Sequence, residues 1–178
     1  MDSNLPIVYV SLLLVLLSAA GWFVFRQILR TRKVESNLAR LQNKLSKDKG
    51  KGTAQEHYEL GSIYLDKKLF AQAAVQFQKA LKAKDLEGEE NQALVYNAYG
   101  YACAAQEQYD LAIRQYKEAL KFNPAYVTAI NNLGFAYERK KLAAQALETY
   151  EEALKYEPAN PTAKKRAESL RKQVVPAA

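Results

Sequence analysis

Asn131-Asn132-Leu133-Gly134-Phe135-Ala136-Tyr137, followed by Ala146, Tyr150 and Ala153, is the stretch on which the fold turns. Its skeleton is a Gly, then an Ala, an aromatic and a second Ala at fixed spacing, and it occurs three times. Leu60-Gly61 precedes Ala73, Phe77 and Ala80, and Tyr99-Gly100 precedes Ala112, Tyr116 and Ala119. Aligned on the glycine, the units run over 54–87, 93–126 and 127–160, each 34 residues long. A repeat of this length carries two helices that cannot bury their apolar faces alone, so neighbouring copies must stack. Glycine and alanine belong where two helices cross closely, and the aromatic fills the space beside them.

This spacing is that of the tetratricopeptide repeat, and residues 54–160 resemble that family. Together with the apolar and basic segments that precede the repeats, the resemblance gives the expected all-α fold: an N-terminal transmembrane helix, a helical neck, then a right-handed superhelical array of three helix-turn-helix repeats with a capping helix at the C-terminal end. His57 stands where the family usually has Trp and Cys103 where it usually has Tyr, so both are expected in the core. Asn123-Pro124 and Asn160-Pro161 each read as an N-cap followed by proline at the first helical position, opening a new helix. The Lys-, Arg- and Glu-rich segment 161–178 is expected to cap the array, with its helix over 162–174. The acidic stretch Asp85 to Glu90, which includes part of the five-residue insertion Gly88 to Gln92, is expected to be a solvated loop or an early helix start.

Pro6 to Phe25 is twenty residues without charge, about 30 Å long as a helix. Residues 1–25 are therefore expected to be a transmembrane anchor. A cleaved secretory signal ending at Ser18-Ala19-Ala20 competes with this, but no basic residue precedes the apolar run and the run continues through Phe25. The chain carries a net charge of +7, and residues 26–52 hold nine Lys or Arg against two acids. Arg26, Arg30, Arg32 and Lys33 follow the apolar run at once, so the positive-inside rule places the repeats on the cytosolic or stromal side, with these four residues against the membrane surface. Trp22 and Phe23 suit the bilayer interface. The basic neck spans 26–53. Val34, Leu38, Leu41 and Leu45 form one apolar stripe on it, suited to the membrane, the first repeat or a second copy in a homodimer. Lys49-Gly50-Lys51-Gly52 reads as a hinge.

In the tetratricopeptide family the groove is lined by the second, fifth, ninth and twelfth residues of each first helix. These positions include Tyr58 and Ser62; Leu94, Asn97 and Tyr101; and Asn131, Phe135 and Glu138. Asparagine offers both a donor and an acceptor, so Asn97 and Asn131 are suited to a peptide backbone, with the aromatics supplying apolar contact. The family members that grip acidic chaperone tails carry Lys, Arg and Asn where this chain has Tyr58, Ser62, Ala98, Thr128 and Asn132, which argues against such a tail as the ligand. One His, one Cys and the lack of a P-loop, dinucleotide fingerprint or metal-ligand spacing give no expectation of catalysis, cofactor or metal. The repeats show no basic stripe for nucleic acid.

A narrower resemblance covers nearly the whole chain. One anchor, a basic neck, three repeats and a short cap in about 180 residues resemble the membrane-anchored tetratricopeptide proteins of cyanobacteria and chloroplasts that help assemble or stabilise photosystem I. Strings such as His57-Tyr58-Glu59-Leu60-Gly61-Ser62-Ile63-Tyr64 are compatible with it. The resemblance implies a thylakoid scaffold whose partners are photosystem I subunits or assembly intermediates. A receptor for targeting peptides and a bacterial envelope scaffold share the same architecture.

Overall fold

The computed structural model describes residues 5–47 and 51–174, and these form eight helices and no strand. They fall into two compact units divided after Lys47.

The first unit is a single helix, α1 (Leu5–Lys47), of 43 residues. Nothing between Phe25 and Arg26 breaks it, because a change from apolar to charged side chains leaves backbone propensity intact. Anchor and neck, separated in the sequence by their chemistry, thus lie on one continuous rod. The apolar half is long and apolar enough to cross a membrane, by length and composition. Its side chains, Leu13 to Leu17 and Trp22 to Phe25 among them, are exposed. Of the hinge read at Lys49 to Gly52, residues 49 and 50 lie outside the described residues, and Lys51 and Gly52 are non-helical.

The second unit comprises α2 (Ala54–Asp66), α3 (Phe70–Lys82), α4 (Glu89–Ala104), α5 (Tyr109–Phe122), α6 (Val127–Arg139), α7 (Ala143–Tyr156) and α8 (Pro161–Val174). Each helix packs on the next. In addition α2 touches α4 and α4 touches α6, whereas the second helices α3, α5 and α7 do not adjoin one another in this way. First helices held side by side with second helices splayed apart give the array an inner face, formed by α2, α4 and α6.

The repeated glycine is explained by what stands opposite it. A Cβ on Gly61 would lie 2.7 Å from the Phe77 ring, on Gly100 2.6 Å from Tyr116, and on Gly134 2.8 Å from Tyr150. These three aromatics are completely or almost completely buried, as are the flanking alanines at 73, 80, 112, 119, 146 and 153. The turn between the helices of each repeat is the same. Lys68, Glu107 and Lys141 take φ of 58°, 60° and 60°, and the following residues donate back to Tyr64, Cys103 and Tyr137 carbonyls at 2.8, 3.0 and 3.0 Å. This is the left-handed helix stop that usually employs glycine, made here by Lys and Glu.

His57 and Cys103 are core residues. His57 Nδ1 lies 2.8 Å from Gln76 Oε1, and burial pushes the Cys103 thiol up to about 11. Two loop expectations change. Asn123 ends α5 and does not begin α6: its Oδ1 accepts from Ala125 N at 3.1 Å, closing a turn, and α6 starts only at Val127. Asn160 does cap α8, through Ala163 N at 2.9 Å. Asp85 is more than a solvated loop residue, since its carboxylate accepts from Ala54 N at 3.0 Å and so caps α2 from 31 residues away. That helix is also held by a capping box between Thr53 and Glu56. Glu89 and Glu90 open α4, so the insertion lengthens this helix at its N-terminal end to 16 residues.

α8 takes the place of a first helix in a fourth unit. Ala163, Ala167 and Leu170 are buried on it, at the repeat positions of Ala129, Leu133 and Ala136 in α6. Its outer side carries the charges, and Arg171 pairs with Glu151 at 2.8 Å.

Candidate functional site, the inner face of the repeats

The side chains expected to line the groove divide into two sets. Leu94, Tyr101 and Phe135 are exposed, at 41, 49 and 41% of their possible surface. Tyr101 and Phe135 hold equivalent positions in successive repeats, so their rings form part of one surface. Tyr58 is half-buried, its ring 5.8 Å from that of Phe77.

The polar residues are mostly committed within the array. Ser62 Oγ donates to the Tyr58 carbonyl at 2.9 Å. Asn97 Nδ2 donates to the Tyr126 hydroxyl at 3.2 Å, and its Oδ1 accepts from Asn132 Nδ2 at 2.9 Å. Asn131 Nδ2 donates to Asn160 Oδ1 at 3.3 Å, while its Oδ1 is buried without a hydrogen-bond partner. Glu138 accepts from the Tyr150 hydroxyl at 2.7 Å and faces Arg166 at 3.4 Å. Burial is the first cause of the strongly raised Tyr150 pKa, reinforced by the Glu138 carboxylate. Asn97 thus ties the second repeat to the third through Asn132, Asn131 is engaged at the end of its own repeat, and the exposed large side chains of the face are apolar and aromatic.

Two hollows open beside these residues. One, of about 160 Å³, has Tyr58, Leu86, Leu94 and Val95 as walls, with Asp85, Glu87 and Asn91 around it. The other, of about 380 Å³, lies by Tyr101 and Phe135 and is bounded by Tyr109, Asn132, Glu107 and Arg139. Arg139 stacks on Tyr109 at 5.4 Å and donates to its hydroxyl at 2.9 Å. Of these, Glu107, Tyr109, Asn132 and Arg139 were not among the expected lining residues: Glu107, Tyr109 and Arg139 come from a turn and from helix ends, and Asn132 stands mid-helix, one place beyond an expected position. No group of three or more His, Cys, Asp or Glu that could hold a metal is present among the described residues.

Paired helices in repeat, joined by identical turns and presenting an aromatic inner face, define a helical-repeat protein-interaction module. Family models for the tetratricopeptide repeat match residues 57–85, 100–141 and 127–160. The chain belongs to the tetratricopeptide-repeat family and, within it, groups with the ycf37 proteins: it is 37% identical over 142 residues to ycf37 of Cyanophora paradoxa, covering 80% of this chain and 81% of that one. It is also 36% identical over 173 residues to the chloroplastic tetratricopeptide repeat domain-containing protein PYG7 of Arabidopsis thaliana, covering 97% of this chain and 56% of that longer protein. Among solved structures, that of MamA superposes with a TM-score of 0.72 at 20% identity, over 82% of this chain and 81% of MamA, a likeness of fold.

Proposed function

We propose that the chain is a membrane-anchored scaffold for photosystem I assembly or stability, with α1 in the thylakoid membrane and the repeats on the stromal or cytosolic side. The observation that carries this reading is the likeness, over nearly the whole chain, to a chloroplastic tetratricopeptide protein. The charge pattern of α1 supports the orientation: Arg26, Arg30, Arg32 and Lys33 follow the apolar half at once. Confinement to the plane of the membrane raises the effective concentration of the rod for a partner in the same plane, so individual contacts can be weak and reversible. Release is part of what an assembly factor does.

On this reading the partner is a photosystem I subunit or intermediate, held on the inner face by Tyr58, Leu94, Tyr101 and Phe135, with Ser62, Asn97, Asn131 and Glu138 shaping the groove around them. The test is affinity capture from gently solubilised thylakoid membranes, comparing the intact chain with a Tyr101→Ala, Phe135→Ala variant. Both residues are half exposed, so the variant keeps its helical circular dichroism. Recovery of photosystem I subunits by the first and not the second supports the proposal. Recovery of none, or of an unrelated import or envelope complex, sinks the photosynthetic reading.

A further inference from the structure

The inner face is polarised along the array, and we infer that its occupant is an apolar segment with a lysine or arginine at one end, seated with that basic residue against the first repeat. This rests on the scaffold reading and gives its partner a chemistry.

The polarity comes from which charges are neutralised. Toward the third repeat the two arginines bordering the face each meet a carboxylate, Arg139 with Glu107 at 3.8 Å and Arg166 with Glu138 at 3.4 Å. At the first repeat, among the described residues, Glu59 accepts from the Gln55 amide at 2.9 Å, Asp85 from the Ala54 backbone N–H, and the Glu87 carboxylate from no donor. None of these three acids is paired with a basic side chain among the described residues. Acids without an ion pair therefore stand at one end of the face, and ion-paired ones at the other.

The hollow at that end has room for one side chain. Tyr58, Leu86, Leu94 and Val95 line it together with Asp85 and Glu87, both of them exposed to solvent. Apolar side chains beside exposed carboxylates fit the stem and the cationic head of Lys or Arg, which bury their methylenes and keep the charge at the edge. Onward from it along the face, the exposed Leu94, Tyr101 and Phe135 suit apolar side chains. An acidic segment would meet like charge here, and like-charge juxtaposition disfavours the wrong partner strongly.

The test uses the full chain in an uncharged maltoside detergent and two fluorescein-labelled peptides, Gly-Lys-Leu-Phe-Gly-Leu-Ser and the same sequence with Glu in place of Lys. Fluorescence polarisation is expected to show the Lys peptide binding about tenfold tighter or more, with Glu87→Lys reducing that preference to within about threefold and high salt weakening it. Glu87 is exposed, so its substitution does not threaten the fold. Equal binding of the two peptides, tighter binding of the Glu peptide, or indifference to Glu87→Lys would overturn the inference. Should neither peptide bind while photosystem I capture still depends on Tyr101 and Phe135, the inferred chemistry falls and the scaffold reading stands. Loss of the capture dependence as well brings down both.

Discussion

Asn132 Nδ2 donates to Asn97 Oδ1 at 2.9 Å, linking the third repeat to the second, and the same acceptor one unit further on, Asn131 Oδ1, is buried with no donor. The reason is a substitution within the repeat frame. Arg166 of α8 occupies the position of Asn132, and its guanidinium is turned to Glu138. Asn132→Ala should cost about 1 kcal/mol by stripping Asn97 of its donor. Arg166→Asn should do the reverse, raising stability by up to about 1 kcal/mol, since the ion pair it removes is long at 3.4 Å and Glu138 keeps its bond from the Tyr150 hydroxyl. Urea unfolding of the two variants, read at the far-ultraviolet helix signal, checks the opposite signs.

Gly100 has no room for a methyl group, the Tyr116 ring being 2.6 Å from where its Cβ would lie. Tyr116 is almost fully buried within the core, so its ring has little freedom to retreat. Gly100→Ala should destabilise the repeat unit by about 1–3 kcal/mol despite alanine's better helix propensity. Thermal melts that showed a gain would mean that the crossing is looser than the contact implies.

Lys141 sits at φ 60°, a conformation that costs an L-residue roughly 1–2 kcal/mol. Lys141→Gly removes that strain and adds unfolded-state entropy, leaving an expected gain of about 0.5–1 kcal/mol. Lys141→Val, with a β-branched side chain in the same turn, should lose stability. Denaturation midpoints in the order Gly, Lys, Val are the expected result.

The Cys103 thiol gives the fold a pH dependence of known sign. Its pKa rises from 9.0 to about 11, chiefly because burial disfavours the thiolate. The folded state therefore holds the proton longer than the unfolded chain. The stability this contributes is complete below pH 9 and is lost as pH rises through about 11, with a slope of at most about 1.4 kcal/mol per pH unit. Buried tyrosines titrate upward too, Tyr116 and Tyr150 among them, but their unfolded reference is 10.0 and their share starts later. Urea midpoints of the natural chain should fall more steeply between pH 8 and 10 than those of Cys103→Ala, which keeps only the fall due to the buried tyrosines.

The parts of this fold that could be read from the sequence are those set by local sterics. Gly61, Gly100 and Gly134 announce helix crossings because no other residue fits there, and the aromatic sixteen positions later is the reason. Caps were less legible. Asn-Pro serves both a turn and an N-cap, so Asn123 and Asn160 look alike in sequence, and only the register of the following helix separates them. The capping role of Asp85 reaches 31 residues back, beyond any local pattern. On the inner face, spacing located the exposed Tyr101 and Phe135. It could not tell that Asn97 and Asn131 are engaged within the array, since that depends on Tyr126 and Asn160 being placed 29 residues on, at the far end of the same unit.

The terminal place of α8 sets where the array comes apart. This helix packs chiefly on α7 and has no following helix to cover its outer side among the described residues, whereas every interior helix is held from both sides. In a stack where each element leans only on its neighbours, the weakest layer opens first and exposes the next. Amide exchange should accordingly run fastest in α8, then α7, and slowest around Tyr116, so that the array unzips from its C-terminal end while the helices at the centre remain closed.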